Sequence, residues 1–186
     1  MKYSILVILS ILFMSFQCEK DDNDPLADQD ILFARIFENH AWGDVFEGWF
    51  IDNAGYVRGF SLNRNPELQW VSFSEAGFNS TEEVFQNIMQ ADTTLATLPI
   101  VDLYKYYQLI PEASKGVLSE ADPQGADMGQ YSYYALHFFP DENKYRWVLL
   151  KSAGDFTVSN TSKEASKILS FLQDVDSYLG YDGSIN

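Results

Sequence analysis

Segments with a strand pattern and segments with a helix pattern are grouped along this chain instead of alternating one by one. Period-2 alternation and β-prone composition predict strands in two groups, at 31–37, 45–51, 56–62, 68–73, 131–139, 145–152 and 156–159. Apolar residues at helical spacing predict helices at about 80–92, 99–110 and 161–180. This grouping favours an α+β fold, an antiparallel sheet of about six to seven strands with three helices packed on one face.

Short motifs predict where several of these elements begin and end. Asp52-Asn53-Ala54-Gly55 has the composition of a tight hairpin turn, with an Asx residue first and a glycine that can take a positive φ. Ser80 with Glu83 forms a capping box at the start of the first helix. Pro111 is expected to end the second helix, and Gly180 the last one.

The charge balance excludes some classes of partner. The chain has 27 acidic and 12 basic residues and a net charge of −15. Nucleic acid is excluded as a partner, because binding it requires clustered Lys and Arg that displace counterions. A polybasic membrane patch is excluded for the same reason. Aromatic residues make up 16% of the chain, which favours a packed domain over a largely disordered one.

The first 17 residues have the organisation of a signal peptide. Lys2 supplies a positive start, and residues 3–16 form an apolar run too short to span a bilayer comfortably as a helix. The run is followed by Cys18, which is the only cysteine of the chain. The exported protein therefore forms no intramolecular disulfide.

Cys18 and the residues after it carry a resemblance to a known class of protein. A cysteine at the junction of an apolar run and a polar chain resembles the lipid-modified cysteine of bacterial lipoproteins, and Cys18-Glu19-Lys20-Asp21-Asp22 resembles the surface-export sequence of lipoproteins in Bacteroidota. The resemblance implies acylation of Cys18, a lipid anchor in the outer membrane and display on the cell surface. Ser15, Phe16 and Gln17 differ from the Leu and the small residue that usually precede such a cysteine. The alternative is a secreted protein with a free thiol.

Residues 18–30 are expected to form the lipidated cysteine and an acidic, flexible tether, because this stretch is rich in like charges and poor in apolar residues. Calcium binding by its aspartates is the alternative, but the glycine and glutamate of an EF-hand loop are missing. Residues 31–186 are expected to form one domain. That domain remains acidic, with 21 acids and 10 bases.

Four residues stand out as candidates for binding. His40, Trp42 and Asp44 combine polar and aromatic groups in a predicted loop between two strands. Tyr106 does not fit the apolar stripe of its predicted helix, so its ring is expected to reach the surface. Flat aromatic faces beside polar groups suit protein and sugar ligands. His137 is predicted to be a packed, hydrogen-bonded residue of a strand.

Catalytic motifs and metal-binding motifs give little support to an enzyme. GxSxG, P-loop, GxGxxG and HExxH sequences are absent, and the predicted domain has two histidines and no cysteine. We therefore predict no catalytic residue, no metal site and no cofactor. A carboxylate-based glycan hydrolase is the alternative, with Glu47 beside Trp49 as the first pair to inspect.

The sequence therefore predicts a lipid-anchored cell-surface protein that works as a non-enzymatic binding or accessory module for a protein or glycan ligand. The stretch that runs from Trp42 to Val57 is similar to a hairpin in small uncharacterised bacterial lipoproteins. That similarity supports a hairpin-based domain and implies no particular activity.

Overall fold

The computed structural model describes residues 26, 29–41, 43–91 and 93–181. Its strands are β1 (Ile31–Asn39), β2 (Val45–Asp52), β3 (Tyr56–Ser61), β4 (Phe78–Ser80), β5 (Thr93–Thr97), β6 (Asp122–Pro123), β7 (Gln130–Phe139), β8 (Lys144–Gly154) and β9 (Phe156–Ser159). Its helices are α1 (Thr81–Gln90), α2 (Ile100–Tyr107), the single turn α3 (Ile110–Ala113) and α4 (Lys163–Leu179). Among the helices of these described residues, none is long and apolar enough to cross a bilayer.

The strands form one antiparallel sheet, which confirms the α+β class. Their order is β5-β3-β2-β1-β7-β8-β9-β6, and β4 pairs with β8 beside this path. The sheet has nine strands, so the predicted number of six to seven was too low. The additional strands are β4, β5 and β6, which contain three, five and two residues. Such short strands show too little alternation to be recognised in a sequence.

Both faces of the sheet are covered. One buried cluster joins α2, α3 and α4 to strand residues such as Phe33 and Trp49. A second cluster joins α1 and the segment 62–77 to the intervening strand residues, such as Ala34 and Phe50. The prediction that all helices pack on one face was therefore wrong. In the central strands, the residues that face one side of the sheet and those that face the other side are both apolar. Each face of the sheet must therefore pack against other elements.

The segment 68–73 was predicted as a strand, and the structure shows that this was wrong. Its backbone is paired with side chains of α1 instead of with a neighbouring strand. The Asn87 amide accepts from the Val71 N–H at 2.8 Å and donates to the Val71 carbonyl at 2.9 Å. Gln90 pairs in the same way with the backbone of Gln69. Helix side chains thus satisfy the backbone groups that a strand neighbour would otherwise satisfy.

The predicted turn and helix ends are mostly confirmed. Gly55 has a φ of +85°, and its N–H donates to the Asp52 carbonyl at 3.1 Å. Ser80 caps α1 in a complete capping box, and Gly180 ends α4 in the left-handed conformation. Pro111 was predicted to end the second helix, but α2 ends at Tyr107 and Pro111 lies in the first turn of α3. Proline is tolerated there because first-turn N–H groups have no partner within the helix.

Two residues of the predicted tether pack against the domain. Leu26 is fully buried in the cluster beneath α2, α3 and α4. Gln29 is also buried, and its side-chain amide donates to the carbonyls of Ile31 and Leu136 at 2.6 and 2.5 Å. Residues 26 and 29 of the predicted tether are therefore fixed in the domain.

Candidate functional site

Two polar loops meet at one end of the sheet, which we call the loop end. β1 ends there at Asn39, and β2 begins there at Val45. β7 starts at the same end with Gln130, which pairs with Gly154 at the end of β8. The chain enters β1 at the opposite end, at Ile31. Strand direction therefore places the loop end one full strand length away from the point where the N-terminal segment joins the domain.

The first loop of this end connects β1 to β2. The Asn39 side chain accepts from the Ala41 N–H at 2.9 Å, and Gly43 has a φ of +143°. The turn brings His40 Nδ1 within 3.2 Å of Asp44 Oδ1. Both side chains are exposed, at 67% for His40 and 82% for Asp44. Two predicted binding residues are therefore paired and accessible to a ligand.

The second loop precedes β7 and is held by Asp155. The Asp155 carboxylate accepts from the Met128 N–H at 2.7 Å, and its N–H donates to the Gly129 carbonyl at 3.2 Å. Asp127 and Gly129 both have a positive φ, of 62° and 75°. These contacts hold the backbone of the loop beside Glu38 and Asn39, which approach Gly129 closely.

A pocket of about 320 Å³, which we call the loop pocket, lies between the two loops. Gln130 lines it, and the Gln130 amide nitrogen donates to Ser152 Oγ and to the Phe156 carbonyl. The Gln130 Oε1 atom is buried and has no hydrogen-bond partner among the described residues. A buried acceptor without a donor is costly, so a ligand with an N–H group would satisfy it. Glu38, His40, Asp127 and Asp155 also line this pocket.

A second pocket of about 330 Å³, the aromatic pocket, adjoins the first through Glu38 and His40, which line both. Asp44 and the apolar side chains of Phe46 and Trp70 also line it. Trp70 stacks on Phe60 and contacts Phe46, which fixes its ring at the edge of the second core cluster. The aromatic pocket thus combines fixed apolar walls with acidic groups.

The acidic groups of the two pockets carry charges of one sign. The two pockets are lined by Glu38, Asp44, Asp127 and Asp155, and neither pocket has a Lys or Arg among its described lining residues. Carboxylates at neutral pH are hydrogen-bond acceptors only. The arrangement therefore matches a ligand that is positively charged and rich in donors. In the part of the chain that the structure describes, no group of three or more His, Cys, Asp or Glu residues is arranged to hold a metal ion.

The other predicted site residues lie elsewhere or outside the described residues. Cys18 and Trp42 lie outside the described residues. Tyr106 is half-buried on α2, where its ring stacks on Phe171 with centroids 4.2 Å apart. It lines neither pocket of the loop end. The structure therefore brings His40 and Asp44 together and leaves Tyr106 in a separate, packed position.

The pair proposed for a hydrolase does not form an open site. Trp49 is fully buried, and its indole N–H donates to Asp176 at 2.8 Å. Glu47 accepts from the Ser61 hydroxyl at 3.4 Å. His137 packs against Phe139 with the two rings tilted by 42°, but its buried Nδ1 atom has no hydrogen-bond partner among the described residues, so only its predicted packing is correct. Burial lowers the pKa of His137, and the nearby charges of Arg146 and Lys115 lower it further.

Sequence reasoning missed a buried polar cluster under α4. Asp176 accepts from Trp49 and from the Tyr133 hydroxyl, and it lies 3.2 Å from Arg35 Nε. Burial raises the pKa of Asp176, while Tyr133, Arg35 and Trp49 act in the opposite direction. The sequence contained a signal for this cluster, because Arg35 interrupts the apolar run of β1. Asp176 likewise falls on the buried stripe of α4.

Comparison of this chain with protein-family models, with curated proteins and with solved structures finds no match.

Proposed function

We propose that this protein is a lipid-anchored binding module of the bacterial cell surface, and that its loop end binds a basic segment of a partner protein. The observation that carries the proposal is the pair of adjoining pockets, which share Glu38 and His40 and offer carboxylates without a Lys or Arg in their described lining. A Lys or Arg side chain would bring the positive charge and the N–H donors that match this lining.

A protein ligand fits the site better than a neutral glycan. Sugar hydroxyls could bond to single carboxylates, but they would leave four negative charges of the site without a counter-charge. The Phe46 and Trp70 side chains of the aromatic pocket can hold the apolar stem of a Lys or Arg while its charged end meets Asp44 or Glu38. An accessory subunit that recognises a basic patch and a module that neutralises a basic toxin are two forms of this function.

The position of the N-terminal segment supports display of the loop end away from the membrane. Seven residues lie between Cys18 and the buried Leu26, and the eight steps from Cys18 to Leu26 reach at most about 29 Å when fully extended. The chain then enters β1, whose nine residues extend about 30 Å toward the loop end. A lipid on Cys18 would therefore keep the entry end near the bilayer and present the two pockets to the surroundings.

The binding site is tested by affinity capture from detergent-solubilised envelopes with residues 19–186, which retain Leu26 and Gln29. We expect a partner that is captured at about 0.05 M salt and lost at about 0.5 M, because salt screens the attraction between exposed charges. Glu38→Gln with Asp44→Asn should reduce the captured partner by about fivefold or more.

Asp102→Asn with Asp141→Asn is the matched control, because it removes two exposed carboxylates outside both pockets of the loop end. The control should retain the partner. Equal loss in both double variants would show that net charge alone drives capture. Capture that persists in the Glu38 and Asp44 variant would place the binding surface elsewhere.

The anchor is tested separately by Cys18→Ser in the full-length chain in its own cells. We expect the variant to leave the membrane fraction and to lose the lipid mass on its N-terminal peptide, because the sulfur of Cys18 is the proposed acylation site. Asn23→Ala, in the same acidic stretch, should stay with the membrane. A Cys18→Ser protein that remains as membrane-bound as the wild type would contradict the anchor without affecting the binding test.

A further inference from the structure

The face of the sheet under α4 contains a separate pocket of about 310 Å³, which we call the Arg35 pocket. It is lined by residues of β1, β7 and α4 and by Tyr181, which follows the Gly180 cap of α4; the lining includes Arg35, Tyr131, Tyr133, Asp176 and Ser177. None of these residues lines the pockets of the loop end. The proposed function therefore makes no use of the Arg35 pocket.

Arg35 is a buried cation with an unpartnered donor nitrogen. Its side chain is only 9% exposed. The Nε atom pairs with Asp176 Oδ2 at 3.2 Å, but Nη1 makes no hydrogen bond within the described part of the chain. A guanidinium group has five N–H donors, and leaving such donors buried without acceptors is costly. The missing element in this pocket is therefore an acceptor.

Asp176 supplies acceptors on one side of the guanidinium only. Oδ1 accepts from the Trp49 indole N–H at 2.8 Å, and Oδ2 accepts from the Tyr133 hydroxyl. The same Oδ2 is the atom that faces Arg35 Nε. Asp176 therefore occupies the Nε side of the guanidinium and leaves the Nη1 side without an anion.

We propose that the Arg35 pocket binds a small organic carboxylate, whose oxygens accept hydrogen bonds from the guanidinium of Arg35. The two oxygens of a carboxylate match the parallel N–H donors of a guanidinium. Because Asp176 faces only the Nε side of Arg35, the carboxylate of a ligand can bind on the other side. The rings of Tyr181 and Tyr131 lie 5.0 and 6.0 Å from the guanidinium carbon and flank the charged group. The pocket volume is at the small end for ligand sites and suits a molecule about the size of a monosaccharide.

The carboxylate could belong to an acidic sugar or to a simple organic acid, and the probes separate these sources. Residues 19–186 are titrated calorimetrically with glucuronate, with succinate and with glucose at about 0.15 M salt, where the charge of the acidic domain is screened beyond about 8 Å. We expect binding of glucuronate in the millimolar range and no binding of glucose. Binding of succinate as well would identify the carboxylate alone as the determinant, and binding of glucuronate only would identify an acidic sugar.

Two variants connect binding to the pocket. Arg35→Lys keeps the positive charge but removes the planar pair of N–H donors that can bind a carboxylate with two hydrogen bonds. This substitution should weaken glucuronate binding by about tenfold or more. Ser177→Glu places a second negative charge at the exposed rim of the pocket and should weaken binding to a similar extent without disturbing the core. Ser170→Glu, also exposed on α4 but outside the pocket lining, is the control and should bind like the wild type.

The outcome is decisive even if Arg35→Lys fails to fold, because Ser177→Glu and Ser170→Glu differ only in their place on one helix. If neither glucuronate nor succinate gives a heat of binding, the proposal is overturned and Arg35 has a structural role only. Equal binding of glucose and glucuronate, or equal binding by the two serine variants, would also overturn it. The loop-end variants Glu38→Gln and Asp44→Asn should leave carboxylate binding unchanged, so this test is independent of the proposed partner.

Discussion

Replacement of Asp176 by alanine is expected to lower the free energy of unfolding by about 3–5 kcal/mol, the range for removing one partner of a buried ion pair. The change leaves Arg35 as a buried charge without its counter-ion. It also removes the acceptor of the Trp49 indole and of the Tyr133 hydroxyl, which are both buried. Each group would then be desolvated without compensation, so several penalties follow from one substitution.

Urea unfolding of residues 19–186, followed by circular dichroism, measures this loss. Asp174→Ala is the matched control, because Asp174 is an exposed residue of the same helix two positions earlier. Its free energy of unfolding should change by about 0.5 kcal/mol or less, as is typical of surface substitutions. A loss of similar size in both variants would mean that helix propensity dominates and that the buried cluster contributes little.

Gly48→Ala is expected to lower the free energy of unfolding by about 3 kcal/mol or more, because the substitution overpacks a central strand. A Cβ atom at Gly48 would lie 2.1 Å from the Arg35 carbonyl oxygen and 2.8 Å from Phe60 Cζ. The first neighbour is backbone of the adjacent strand β1, so relief would require the two strands to separate. Arg35 would move with its strand, which makes the Arg35 pocket sensitive to this position.

Gly59→Ala provides the comparison for Gly48→Ala. A Cβ atom there would lie 3.0 Å from Leu95 Cδ1, which is the end of a flexible side chain. Both glycines lie inside strands, so the loss of backbone freedom is similar and the difference reports the steric contact. We expect a loss of about 1 kcal/mol for Gly59→Ala. Equal midpoints of urea unfolding for the two variants would contradict the close approach of β1 to Gly48.

Local signals predicted the parts of the fold that depend on neighbouring residues in the sequence. The capping box of Ser80 and Glu83, the glycine turn at Gly55 and the left-handed end at Gly180 are each completed within a few residues of the chain. The strand at 68–73 was predicted wrongly because its alternation is real but its partner is a helix. Asn87 and Gln90 belong to a different element, and no local pattern shows that they bind this backbone.

The candidate site was predictable only in part. His40 and Asp44 lie in one short loop, so their shared position followed from two flanking strand patterns. Asp127, Gln130 and Asp155 reach the same pocket through the pairing of β1 with β7 and of β7 with β8. The pairing of β1 with β7 joins residues about ninety positions apart, and strand patterns in a sequence do not specify which strands become neighbours.

The sequence by itself determined the α+β class, most element boundaries and the acidic charge. These properties depend on composition and on periodicity within one element. Only the tertiary structure decided that both sheet faces are covered, that Leu26 belongs to the core, and that Arg35 meets Asp176. The reason is that burial depends on which elements face each other, and long-range packing sets those contacts after the local elements have been specified.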